Sequence, residues 1–158
     1  MSDVSRFHDE VIVWLNELSM TNDGDWRLYA TVSNITTVGF TMHLDAGRDT
    51  TLFSARASWI AYPSDKADVV SGAYSTNDVR TADPPQLTTS GRIAFPPESF
   101  VHSPTVLFAI NSLEIDHREN LQIKATVDSL SSKGMTWHLD GGGDTKVYSM
   151  GASYIAFA

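Results

Sequence analysis

The chain of 158 residues carries 11 Lys+Arg against 19 Asp+Glu, a formal net charge of −8, with 42% hydrophobic residues and no cysteine. This acid excess offers no basic stripe to a nucleic-acid backbone or to an anionic membrane surface, and the lack of cysteine excludes disulfides and thiolate metal sites. Length allows one domain or two small ones, and no run approaches the roughly 20 apolar residues needed to insert across a bilayer.

From the amino terminus, Met1-Ser2-Asp3-Val4-Ser5-Arg6 shows no basic stretch leading into an apolar core. No signal peptide is expected, so the expected localisation is cytoplasmic, or release without such a peptide. The run 11–15 is short, apolar and rich in β-formers. Residues 26–32 alternate apolar and polar, which predicts a half-buried strand with Leu28, Ala30 and Val32 inward and Arg27 and Tyr29 outward. Runs 40–44 and 53–60 read as further strands, with Asn22-Asp23-Gly24-Asp25 as turn chemistry between runs. Residues 64–68, polar and following Pro63, read as a junction. Beyond it, 91–100 suggests a strand and a turn, and 106–110 and 121–127 resemble 11–15 and 26–32.

That likeness is an internal repeat. Gly39, Thr41, His43, Leu44, Asp45, Gly47, Asp49 and Thr50 recur as Gly134, Thr136, His138, Leu139, Asp140, Gly142, Asp144 and Thr145, all 95 positions later. The register also joins Asn16 to Asn111, Leu18 to Leu113 and Ala57-Ser58-Trp59-Ile60 to Ala152-Ser153-Tyr154-Ile155. The expected domains are residues 1–66 as the first repeat and 67–158 as the second. The first is amino-terminally incomplete, because the segment 72–95 has no counterpart ahead of it. No segment keeps a 3.6-residue period over three turns. The fold class expected is all-β, made of small antiparallel sandwich units.

Several constellations have plainer readings. Asp45, Asp49, Asp140 and Asp144 flank glycine-containing loops, but the residues between them donate no side-chain oxygens as a calcium loop would, so hairpin support is preferred. His43 and His138 read as strand residues and not as a zinc site. No nucleophile elbow is present, and no enzyme activity is expected. Half of Trp59, Tyr62, Tyr154 and Phe157 should enter the core. An exposed aromatic beside Arg and Asp is the means by which proteins hold neutral sugars.

The stretch from Gly134 through Asp144-Thr145-Lys146-Val147-Tyr148 to Tyr154-Ile155-Ala156 resembles the H-type lectin family. Asn111-Ser112-Leu113-Glu114-Ile115 and the series Phe95-Pro96, Phe100, Pro104-Thr105-Val106 match its strand end and its entry segment. The resemblance implies six-stranded antiparallel units, trimeric assembly, and metal-free binding of galactose or N-acetylgalactosamine between protomers. Carried over, the family's Arg falls on Arg27 and, in the second repeat, on Gln122; its Tyr falls on Phe53 and Tyr148. Its Trp-His pair falls on Gly47-Arg48 and Gly142-Gly143, which departs from the pattern. Its amino-terminal Asp falls on Asp78, with Asp83 the second choice. The expected site residues are therefore Asp78, Arg27, Arg48, Phe53, Gln122 and Tyr148, with Asp78–Arg27–Arg48 the favoured trio. The expected partners are glycans and further copies of the chain, as a trimer or a pseudo-hexamer of units, with no cofactor and no metal. The function expected is that of a multivalent lectin of drifted specificity; the alternative is an oligomerisation module that binds no sugar.

Overall fold

The computed structural model describes residues 9–158, so the amino-terminal hexapeptide read for a leader lies outside it. The described chain is all-β. The first four strands are β1 (Asp9–Met20), β2 (Trp26–Thr36), β3 (Gly39–Ala46) and β4 (Leu52–Pro63). After the junction come β5 (Val69–Ser75), a 3-10 turn (Thr76–Asp78) and β6 (Thr88–Ala94). The last four are β7 (Thr105–Ile115), β8 (Ile123–Ser131), β9 (Gly134–Gly141) and β10 (Val147–Phe157). Among the described residues no helix is long and apolar enough to cross a membrane. β7–β10 are the counterparts of β1–β4 in the 95-residue register. β5 and β6 have no counterparts among the described residues, so the first repeat supplies four strands and the second six.

In the second repeat the strands β7-β10-β5 face the three-stranded sheet β6-β9-β8. Their inward side chains make the core: Tyr74, Phe95, Leu113, Ile115, Met135, Trp137, Leu139, Met150 and Tyr154 are all buried. Tyr74 stacks on Trp137 at 4.9 Å, and Phe95 meets Phe100 edge-on at 5.3 Å. Each buried large side chain stabilises by about 1.5–3 kcal/mol, so most of the folding energy lies here.

The first repeat does not close a sandwich of its own. Its β2–β3 hairpin joins the free edge of β7, pairing Trp26 with Ile115, Arg27 with Glu114, Leu28 with Leu113 and Tyr29 with Ser112, which makes a five-stranded sheet. β1 and β4 pair only with each other. This ribbon packs over β2, β7, β10 and β5. The Trp14 indole N–H donates to the Ser153 carbonyl at 2.9 Å, and the Tyr62 hydroxyl donates to Ser71 at 2.8 Å. β10 is consequently buried on both faces: Met150, Ala152 and Tyr154 face the core while Ser153 and Ile155 lie under the ribbon.

The missing strands leave marks on the first repeat. Tyr154 is 6% exposed, but its counterpart Trp59 is 52% exposed and, among the described aromatic rings, meets Phe40 alone, edge-on, because Tyr74 and Phe95 have no counterparts to cover it. Gly134 must be glycine, since a Cβ there would lie 2.2 Å from the Ile93 carbonyl of β6; its counterpart Gly39 faces open space. The predicted inward residues of β2 behave as expected, with Leu28 and Ala30 buried and Val32 half-buried.

Candidate functional site

The loops β1–β2, β3–β4, β7–β8 and β9–β10 gather at one end of the molecule, and a repeated brace shapes that end. Thr50 accepts from the Arg27 N–H and donates to the Asp25 carbonyl; Thr145 does the same with Gln122 and Asn120. The Gly47 N–H donates to the Arg27 carbonyl, and the Gly142 N–H to that of Gln122, both at 2.9 Å. The repeated Thr and Gly are thus loop architecture. The glycines also leave room for a neighbour: a Cβ on Gly47 would lie 2.5 Å from the Arg27 side chain, and one on Gly142 2.7 Å from that of Gln122. These are the positions where the resemblance places an aromatic platform.

Arg27 sits where the two repeats join. Its Nε donates to Glu114 at 2.9 Å, Nη1 to Asp49 at 3.0 Å and Nη2 to Asp25 at 2.9 Å. Burial opposes the charge, but the surrounding carboxylates outweigh it and hold the guanidinium firmly protonated. Asp25 also meets His117 Nδ1 at 3.0 Å. Beside it, fully buried Asp116 is chelated by the Nε and Nη2 of Arg118 and accepts from the Tyr148 hydroxyl at 3.4 Å. The Arg118 guanidinium holds that carboxyl well below the usual range, against the opposing pull of burial. Asp25, Asp116 and His117 bring their ligand atoms within 4.8 Å of one another, but Arg27 and Arg118 already supply the positive charge that a cation would bring.

Between the β1–β2 and β7–β8 loops lies an open cavity of about 360 Å³. Half-buried Trp26, anchored by its indole N–H to the Thr21 carbonyl at 2.8 Å, lines it together with His117, Arg118, Asn120 and Asp144. Chemically this is a mostly polar cleft of donors and acceptors with one aromatic ring in its wall, and the Arg118 side chain is 66% exposed. None of the five is among the six site residues expected from the resemblance, although Asp144 belongs to the stretch that carries it. The available clue is the wholly polar run Asp116-His117-Arg118-Glu119-Asn120, but only the β2–β7 pairing brings Trp26 to it.

The six expected site residues all lie at or beside this end without forming one constellation. Arg27 is surrounded by three carboxylates; Arg48 and Gln122 are exposed loop residues, and Phe53 is 72% exposed at the start of β4. Tyr148 lies above Asp116. Asp78 caps the 3-10 turn by accepting from the Ser75 N–H at 2.7 Å. Within the chain β7 and β10 separate Asp78, which follows β5, from Arg27 on β2, so the trio does not assemble in a single molecule. Arg80 holds the backbone at the start of β10, donating to the Tyr148 and Val147 carbonyls at 2.9 and 3.2 Å. His43 and His138 pair with Ser33 and Asp128 across their hairpins.

A comparison with curated proteins returned no match. Among solved structures, native recombinant discoidin II of Dictyostelium discoideum is similar at 14% identity and a TM-score of 0.45, covering 96% of this chain and 72% of its own. Wild-type discoidin II from the same organism is similar at 13% identity and a TM-score of 0.48, covering 100% of this chain and 74% of its own. The H-type lectin domain matches residues 10–62 and 90–157, one segment in each repeat. With the greater part of its length matched in this way, the chain belongs to the H-type lectin domain family, as two repeats sharing one five-stranded sheet.

Proposed function

We propose that this chain is a lectin that binds glycans of the galactose or N-acetylgalactosamine type, with drifted preference, in the cleft between its two repeats. The observation that carries the reading is the Trp26 surface ringed by His117, Arg118, Asn120 and Asp144. An apolar sugar face stacks on such a ring while hydroxyls exchange hydrogen bonds with the amide, carboxylate and guanidinium. The pairing of Arg27 with three carboxylates supports the cleft over the trio Asp78–Arg27–Arg48, because three of its five N–H donors and its charge are already engaged. Arg27 and Arg118 already neutralise Asp25 and Asp116 beside the cleft, which supports binding without a metal. A small neutral sugar desolvates many hydroxyls for little apolar gain, so single sites are weak and useful strength comes from multivalency.

A glycan array followed by titration of the best ligand tests this. Trp26→Ala and Asn120→Ala should each weaken binding about tenfold or more, near 1.4 kcal/mol, with EDTA without effect. A blank array, and no binding at millimolar galactose or N-acetylgalactosamine, would favour the second reading: an oligomerisation module that binds no sugar. That reading draws on Arg27, whose ion pair with Glu114 joins one repeat to the other.

A further inference from the structure

The contact between the repeats is encoded twice in the sequence but made once within the chain. β2 contributes Trp26, Arg27, Leu28 and Tyr29; β7 contributes Ile115, Glu114, Leu113 and Ser112 opposite them. Each side has a counterpart 95 positions away. Those of the β2 residues are Leu121, Gln122, Ile123 and Lys124, at the entry to β8; those of the β7 residues are Met20, Ser19, Leu18 and Glu17, at the end of β1. Among the described residues β8 pairs only with β9 and β1 only with β4, so both edges carry unpaired backbone groups.

We propose that the start of β8 in one molecule pairs with the end of β1 in a second copy of this chain, in the register that β2 and β7 use internally. The side chains fit that register. Ile123 would face Leu18, standing where buried Leu28 and Leu113 meet, and Leu121 would face Met20. Leu18 and Leu121 are 39% and 38% exposed, apolar groups beside these two unpaired edges. Lys124 would face Glu17, an opposite-charge pair two residues along the same face from the place where Arg27 meets Glu114. Gln122 would face Ser19, two groups that hydrogen-bond without charge. No like charges meet, and a slip of one residue would set Lys124 against Leu18. Among the described residues the only ion pair of Glu17, to Arg56 at 3.4 Å, is exposed and easily exchanged.

Because the two patches differ, the contact runs head to tail and links whole chains in series, as a ring where its rotation closes. The absence of cysteine makes the test clean. Facing residues in an antiparallel pair hold their Cβ atoms about 4.5–5.5 Å apart, close enough for a disulfide after small adjustment. The double variant Glu17→Cys/Lys124→Cys should give a ladder of multiples of 17.3 kDa on a non-reducing gel, and each single variant should not. Lys124→Glu should weaken association about tenfold or more by light scattering, and Glu17→Lys added to it should restore it. A wild-type mass of 17.3 kDa at micromolar concentration would overturn the proposal, as would a double variant that forms no ladder.

Discussion

Arg27 illustrates how a residue's role follows from its surroundings. Its guanidinium satisfies three carboxylates, two of them on its own repeat and one, Glu114, 87 positions away. Replacing it with Ala takes the guanidinium away from partly buried Asp25 and Glu114, leaving His117 and the Ser149 hydroxyl as their partners, at a cost of about 2–3 kcal/mol. For a chain of this size that lowers the melting temperature by roughly 4–10 °C, readable by circular dichroism. Arg27→Lys should recover little, since one ammonium cannot serve three separated acceptors. Asp116 gives a pH signature. Its carboxyl, held low chiefly by Arg118, is ionised in the fold where an unfolded Asp with a pKa of about 3.9 begins to protonate. Its contribution is complete above that value and is lost as pH falls toward the depressed folded pKa. Wild type should therefore lose stability between about pH 4 and 2 more steeply than Asp116→Asn, which starts lower at neutral pH; parallel thermal melts across that range decide it.

At the scale of elements, the two repeats are unequal partners. β5 and β6 give the second repeat the strands that bury Tyr74, Phe95 and Trp137, whereas β4 of the first leaves Phe53 and Trp59 to solvent. A fragment of residues 68–158 should therefore melt cooperatively on its own. It should do so at a lower temperature than the full chain, since it loses Leu28 against Leu113 and the ribbon over Ile155. A fragment of residues 9–66 should show no cooperative transition, because its two strand pairs have little apolar surface to bury between them. A fragment 68–158 that is unfolded would show that the repeats depend on each other equally.

For the whole molecule, much was legible in the sequence. The constant 95-residue spacing identified the repeat, and the alternation at 26–32 correctly turned Leu28 and Ala30 inward. The polar segment 64–68 marked the gap between β4 and β5, and the ordered motifs from Phe95 to Ala156 pointed to the family. These are local facts: which residues alternate, which turns need Gly or Asp, and which stretch echoes another. What the sequence did not display is that the β2–β3 hairpin leaves its own ribbon to extend the sheet of the second repeat. That one choice sets Trp26 beside Arg118, buries β10 on both faces, and surrounds Arg27 with acids from separate segments. Alternation reports which face of a strand is apolar, but an edge is a row of N–H and C=O groups that is nearly the same for every sequence. Which edge meets which is decided by the whole set of apolar faces seeking cover at once, and only the tertiary structure settles that competition.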